Sequence, residues 1–390
     1  MTVKVFISAG EASGDLHGSH LVRALINRDA DTQVVCLGGP LLREAGAHVL
    51  VENRDLAVVG VSEVLGSAQT IYKAWKKIRS HILVSRPDVV VLIDFPDFNF
   101  LLGRLAKRLG TRVVYYIGPQ IWAWRSGRAK SLTKFVDEMA VILPFEPGFY
   151  ESYKIKVHYV GHPLLDAAEK AISREEASDR YRPENNARLV GLLPGSRHSE
   201  IHALLHLLLE SASKLKNALP DIAFLLPVAP TMDARSISEE AARYNLPVRL
   251  VIGDTYGAIR ACDLIIAASG TVTLEAAILG TPMIIVYRVS ALSYLVGRRL
   301  IKLKHVGLPN LIAGREIVPE LLQEQASSER IANEALTFLN YSGKLDLQRQ
   351  ELAMIRRALG SPGVADRVAR LILRLSVAEP PATEHLRGSS

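Results

Sequence analysis

The stretch Ala267-Ala268-Ser269-Gly270-Thr271-Val272-Thr273-Leu274-Glu275 follows the apolar run Leu264-Ile265-Ile266 and opens a further apolar segment. A β-branched run, a glycine with three hydroxyls around it and then a helical pattern describe one strand-to-helix step of a parallel sheet. At such a step the first N–H groups of the helix have no partner within it, and the helix end is positive. That volume suits a diphosphate. Glu275 lies about one and a half turns into the helix, beyond the phosphates, where a carboxylate accepts hydrogen bonds from a ribose diol. The expected ligand is a nucleotide-sugar.

The same alternation extends outward in both directions. Strand-like runs fall near Val3 to Ser8, Gln33 to Leu37, Val89 to Ile93, Arg112 to Tyr116, Glu138 to Ile142 and Val157 to Val160, with helical patterns between them. A second series falls near Leu189 to Leu193, Ala223 to Val228, Val248 to Ile252, Leu264 to Ala267 and Met283 to Tyr287. The fold class is therefore α/β, with two Rossmann-like doubly wound domains facing a central cleft at the carboxyl ends of their strands. Asp166 to Asn186 is polar, charge-rich and carries a proline, which places the boundary there. The expected division is 1–170 for the first domain and 185–360 for the second. A helix at 361–376 is free to return to the first domain, and 377–390 reads as a disordered tail.

Of the 390 residues, 48% are apolar and 22% charged, and no apolar stretch reaches the length of a membrane span. Val3-Lys4-Val5-Phe6-Ile7 runs directly into a glycine turn without a secretory leader, so a cytoplasmic location is expected. Cys36 and Cys262 have no ligand or redox spacing and read as core residues. A net charge of +7 calls for an anionic partner. Nucleic acid is not expected, since no basic run is interleaved with aromatics. The charge clusters instead beside apolar residues: Lys73, Lys76, Lys77 and Arg79 around Trp75, and Arg298, Arg299, Lys302 and Lys304 after Tyr294-Leu295-Val296.

Unusual residues recur just past the strands. Gly10-Glu11-Ala12-Ser13-Gly14-Asp15 lacks both the dinucleotide fingerprint and the P-loop lysine, so its glycines are read as letting backbone approach a ligand. In Asp94-Phe95-Pro96-Asp97-Phe98-Asn99, Asp97 reads as a helix N-cap and Asp94 as the general base. Trp122 and Trp124 beside Arg125 and Arg128 suit a sugar ring and a phosphate. In Leu193-Pro194-Gly195-Ser196-Arg197 a cation stands at a helix start, where the dipole disfavours it unless an anion is present. Two metal patterns are discounted. Asp29-Ala30-Asp31 sits at the wrong end of the sheet, and His198, His202 and His206 lack a carboxylate in the metalloprotease position.

Gly10 to Asp15, Asp94 to Asn99, Gln120 to Arg125, Leu193 to Arg197, Ser269 to Glu275 and Leu308-Pro309-Asn310-Leu311 together resemble the lipid-A-disaccharide synthase family, in order and from near Met1 to about Leu375. The resemblance implies a GT-B glycosyltransferase that joins UDP-2,3-diacylglucosamine to 2,3-diacylglucosamine 1-phosphate and releases UDP. It implies a base at Asp94, a phosphate-binding arginine at Arg197, and nucleotide contacts at Ser269, Gly270, Glu275 and Asn310. Ser13, Gly14, Asp15, Gly195, Ser196, Thr271 and Arg288 complete the expected substrate and nucleotide contacts. No metal and no cofactor are expected, because arginine and helix dipoles take the cation's place.

Within the same fold a UDP-sugar epimerase would use a similar site but need no surface for acyl chains. A non-catalytic nucleotide-binding membrane scaffold would leave Asp94 idle. The run from Leu56 to Leu65, beside the basic stretch at Lys73 to Arg79, supplies such a surface or else a buried strand and helix. Val61, Val64, Leu65, Trp75, Arg298 and Arg299 are the expected membrane-facing residues, on an anionic inner-membrane surface to which the protein would attach peripherally. A homodimer is left open.

Overall fold

Seven parallel strands form the first sheet: β1 (Lys4–Ala9), β2 (Gln33–Gly38), β3 (His48–Glu52), β4 (Val89–Ile93), β5 (Arg112–Tyr116), β6 (Glu138–Val141) and β7 (Lys156–Tyr159), in the spatial order β3-β2-β1-β4-β5-β6-β7. Six more form the second: β8 (Arg188–Leu193), β9 (Ile222–Val228), β10 (Val248–Ile252), β11 (Leu264–Ala268), β12 (Met283–Tyr287) and β13 (Glu320–Leu322), in the order β10-β9-β8-β11-β12-β13. The computed structural model describes residues 2–57, 64–124, 126–184, 187–229, 232–288 and 304–377, with backbone alone at 57, 64–68, 124 and 126.

Both sheets are buried on both faces, which is why their strands read as near-continuous runs of Val, Ile and Leu. Alternate residues serve the two faces. Val5, Ile7, Val89 and Val91 pack with Leu21, Val22 and Leu25 of the Ala12–Arg28 helix. Phe6, Val90 and Leu92 pack on the other face with Ala74, Ile78 and Ile82 of the Val64–Ser85 helix. The second sheet has the same two-sided arrangement, with Leu204, Leu208 and Leu215 on one face and Leu274, Ala277 and Ile278 on the other.

The chain divides into a unit of Met1–Pro163 with Ser361–Ser390 and a unit of Leu164–Gly360. The segment read from its polarity as a linker instead begins the second unit. Ser173 and Glu176 form a reciprocal cap on the Arg174–Tyr181 helix, whose Ala177 and Tyr181 join the second core. The Val364–Val377 helix packs on the Ala12–Arg28 helix through Val364, Val368, Leu371 and Ile372, and an Arg28–Asp366 ion pair of 2.5 Å joins them. Two strands were not anticipated. β3 is a half-exposed edge strand, and β13 is only three residues long. The stretch 378–390, expected to be a disordered tail, lies outside the described residues.

In each sheet the strand order reverses once, between β1 and β4 and between β8 and β11. In an open α/β sheet, connections leave in opposite directions at such a point, and the gap at the carboxyl end is where ligands sit. The segments that follow these four strands are Gly10–Glu11, Asp94–Phe95, Pro194–Arg197 and Ser269–Thr271. Those are the motif residues.

Candidate active site

In the second unit, a cavity of about 390 Å³ opens beyond β8 and β11, lined among others by Gly195, Ser196, Arg197, Ser269, Gly270, Thr271 and Glu275. Gly270 is the N-cap of the Thr271–Leu279 helix and offers no side chain to its first N–H groups, of which that of Thr273 turns back to the Gly270 carbonyl at 3.1 Å, and such a helix start suits an anion. The hydroxyl of Ser269 donates to the carbonyl of Val306 at 3.2 Å, tying this turn to the segment before the Leu308–Ala313 helix. Burial pushes the Glu275 carboxyl up, opposed by a hydrogen bond from the Tyr256 hydroxyl at 3.2 Å.

Gly195 has a φ of +119°, a conformation that favours glycine, and its hydrogen side lies against Glu200. Glu200 organises this turn. One of its oxygens accepts from the N–H groups of Ser196 and Arg197 at 2.9 and 3.2 Å, and the other accepts from the Arg197 guanidinium at 2.6 Å. Arg197 is largely exposed beside the cavity, so a cation is held at a helix start with room for a second anion.

In the first unit, Asp94 and Phe95 both adopt left-handed backbone, with φ of 43° and 44°. Two consecutive non-glycine residues there cost about 1–3 kcal/mol each and persist only where their surroundings fix them. Here the Asn99 side-chain amide donates to the carbonyls of Ile93 and Asp94 at 3.2 and 2.7 Å, and the buried Tyr115 hydroxyl donates to Asp94 at 2.8 Å. Ser8 in turn donates to Asn99 at 2.6 Å. Gly10 is required beside this turn, since a Cβ there would lie 2.3 Å from the Phe95 ring. The Asp94 carboxyl is pushed up to about 6, first by burial and then by the charge of Glu11. A carboxyl at that value gains and loses a proton near neutrality, as a general base must.

Several expected contacts have other work. Asp15 is buried, and its carboxylate accepts from the N–H groups of Gly39, Leu41 and Leu42 at 2.7, 3.1 and 3.1 Å. It thereby caps the Pro40–Glu44 helix, whose own N-cap is Gly39. Gly14 allows close packing against Ala9, 3.2 Å from where a Cβ would stand, while Ser13 is exposed. Asn310 is fully buried and uses its whole amide inside the protein. Its oxygen accepts from Ile317 and Val318 at 2.8 and 2.9 Å, and its nitrogen donates to Val318 and Glu320 at 2.8 and 2.7 Å. It anchors the loop on which Ser269 leans and does not reach the cavity as a nucleotide contact. Arg288 is exposed just past β12.

Asp97 is not the N-cap, a position held by Phe95; it lies in the first helical turn and pairs with Arg128 at 2.5 Å. Trp122 is half-buried, edge-to-face on Phe145 and donating to Glu146 at 3.2 Å, so it braces the unit and is not an open sugar platform. Trp75, expected to face a membrane, packs edge-to-face on Phe98 and the first core. The side chains of Val64, Leu65 and Trp124, and all of Val61, Arg125, Arg298 and Arg299, lie outside the described residues. Asp29 accepts from Asp31 N–H and the Thr32 hydroxyl at 3.2 and 3.0 Å within its own turn. His206 lies on the surface against Tyr244, Glu210 and Glu240. Cys36 and Cys262 are free and buried.

Two contributors were not singled out from the sequence. Glu200 could have been found as the acidic residue three positions after the turn, the spacing of a capping box. Tyr256 has no local signal, because its partner is 19 residues away on another helix.

The chain is similar to known proteins over nearly its whole length. A family model described as lipid-A-disaccharide synthetase matches residues 5–365. The lipid-A-disaccharide synthase of Geobacter sulfurreducens is 45% identical over 372 residues, covering 95% of this chain and 97% of that one. That of Nitrosococcus oceani is 42% identical over 371 residues, covering 95% and 96%. Among solved structures, a glycosyltransferase from Rickettsia africae has a TM-score of 0.59 at 15% identity, covering 96% of this chain and 99% of that one. A UDP-GlcNAc 2-epimerase from Neisseria meningitidis bound to UDP-GlcNAc has a TM-score of 0.63 at 12% identity, covering 96% and 100%. These two share the fold and differ in reaction, so the fold leaves transferase and epimerase side by side. The sequence family separates them: this chain belongs to the lipid-A-disaccharide synthases, glycosyltransferases of lipid A biosynthesis.

Proposed function

We propose that the chain transfers 2,3-diacylglucosamine from UDP-2,3-diacylglucosamine to 2,3-diacylglucosamine 1-phosphate by a single inverting displacement. Asp94 takes the proton from the acceptor hydroxyl as its oxygen bonds to the anomeric carbon, and the bond from that carbon to the diphosphate breaks with UDP as the leaving group. Charge on the departing diphosphate is met by the N–H groups at Gly270 and Thr271 and by Arg197. Glu275 accepts from the ribose.

The observation that carries this reading is the Asp94 turn. A strained backbone, fixed by Asn99 and Tyr115, holds a carboxyl whose proton affinity burial has raised to about 6. A non-catalytic nucleotide binder has no use for such a group.

Attachment to an anionic inner-membrane surface from the cytoplasmic side is part of the proposal. Among the described residues no helix is long and apolar enough to cross a membrane. The Val64–Ser85 helix exposes Lys73, Lys76, Lys77 and Arg79 alongside Tyr72 and Val84, which suits a surface contact with lipid.

The test is release of UDP from the purified chain. Release that requires both the diacylated UDP-sugar and an acylated glucosamine 1-phosphate is the expected result. UDP or a 2-epimer formed from the UDP-sugar alone would overturn it.

A further inference from the structure

We infer that Tyr256 is a positioning residue: by pinning Glu275 through its hydroxyl, it gives the cavity of the second unit its preference for a nucleoside diphosphate with both ribose hydroxyls. This rests on the reading of that cavity as the UDP site.

The backbone that delivers Tyr256 is unusually well fixed. Tyr256 lies in the first turn of the Thr255–Ala261 helix, capped by Asp254, which accepts from the N–H of Gly257 at 2.9 Å. The other Asp254 oxygen is held by the Tyr181 hydroxyl at 2.7 Å and by Arg180 at 3.0 Å. Gly257 lies so close that a Cβ would stand 2.4 Å from Asp254, so the turn has little freedom. From this base the half-buried Tyr256 lines the cavity and reaches Glu275 on the facing Thr271–Leu279 helix.

The direction of this hydrogen bond is set by chemistry. Burial and then the neighbouring carboxylate push the Tyr256 hydroxyl far up, so it keeps its proton and always donates. A carboxylate has about four acceptor positions, and one taken by Tyr256 fixes its plane and leaves others for a diol. The same donation opposes the burial that favours protonated Glu275. Loss of the hydroxyl would then free the side chain to rotate and bias it toward the acid, which accepts poorly from two hydroxyls at once.

The experiment compares binding of UDP and of 2′,3′-dideoxy-UDP to the full chain, its Tyr256→Phe and Glu275→Gln variants, and the double variant. The unmodified chain is expected to favour UDP by about 10- to 100-fold, the range of charge-assisted hydrogen bonds. Tyr256→Phe should weaken UDP by about 5-fold or more while dideoxy-UDP stays within about 2-fold, the limit of additivity for uncoupled changes. Its UDP affinity should also fall away at a higher pH as the medium is acidified. In the Glu275→Gln background Tyr256→Phe should have no further effect.

Equal weakening of both nucleotides, or an undiminished effect in the Glu275→Gln background, would make Tyr256 a packing residue and overturn the inference. If the unmodified chain binds UDP but does not distinguish it from dideoxy-UDP, Glu275 is not the ribose acceptor. If it binds neither, the cavity is not the nucleotide site.

Discussion

Ala9 pairs with Ile93 in the register of β1 on β4, so Glu11 and Asp94 leave the sheet from neighbouring strands, and the Glu11 charge adds to burial in raising the Asp94 carboxyl to about 6. A base must be ionised to act, so the turnover rate should fall as pH drops through about 6. Glu11→Gln removes the repelling charge and should move that acid limb to lower pH. Burial is the larger cause, so the midpoint should stay above the ordinary carboxylate value. A pH–rate profile of both proteins decides this, and an unmoved limb would detach Glu11 from the base.

Asp94→Asn should lower the rate by about 10²- to 10⁴-fold while UDP affinity is preserved. It should also stabilise the fold near neutral pH. The native carboxyl binds its proton more tightly than the unfolded chain does, so between about pH 4 and 6 stability falls as pH rises, and the cost is complete above that window. Its upper bound is about 3 kcal/mol. Thermal melts at pH 7.5 and pH 4 should show the variant melting later at the first and indistinguishably at the second.

Arg197 and Asn310 should separate cleanly. Arg197→Ala removes an exposed cation from the cavity rim and should weaken UDP by about 1.5–3 kcal/mol with the melting temperature nearly unchanged. Asn310→Ala strands buried partners on Ile317, Val318 and Glu320 and should cost about 3 kcal/mol of stability. Calorimetry and UDP titration on the two variants check both halves; an unimpaired melt for Asn310→Ala would contradict its anchoring role.

Chelation should leave the rate intact. Asp29, the first carboxylate of the acidic triplet, accepts from its own turn at 3.0 and 3.2 Å, and Asp29→Asn is expected to turn over normally. Loss of activity with a chelator, restored by manganese or magnesium, would point to a cation site.

Partitioning into anionic vesicles should weaken as salt rises, since surface charges are screened within about 10 Å at 0.1 M. Replacing Lys73, Lys76 and Lys77 with serine should weaken it by about 1 kcal/mol per residue. Sedimentation with vesicles that ignores both changes would remove this helix from the membrane contact.

The parallel-sheet pattern was legible because strands buried on both faces must be apolar throughout, and both switch points could be found from glycines and polar residues just past them. Asp94 stood out because Pro96 and Asn99 made its surroundings legible. Asp15 and Asn310 have other partners than the expected ligand, for different reasons. A polar residue past a strand looks alike whether it meets a ligand or a distant backbone, and the N–H groups that claim Asp15 lie 24 to 27 residues away; Asn310 instead closes the loop that follows its own helix, through Ile317, Val318 and Glu320, and no local pattern marks that closure. Edge strand β3 escaped notice because only Val51 of its five residues is buried and its apolar run is short. Tyr256 is invisible locally for the same reason as Asp15: its meaning lies on another helix.

The Val364–Val377 helix covers Leu21, Val22 and Leu25, yet the ribosome makes it only after the roughly 200 residues that follow Pro163, where the amino-terminal part of its unit ends. At about 5–20 residues per second the emerging amino-terminal segment waits about 10 to 40 s with that apolar face open. Synthesis therefore runs in a fixed order, in which every residue of the second unit is made before the first unit is complete. A chain ending at Gly360 would hold every residue of the second unit and leave the first without the helix that covers its apolar face, which makes that helix the step that commits the newborn chain.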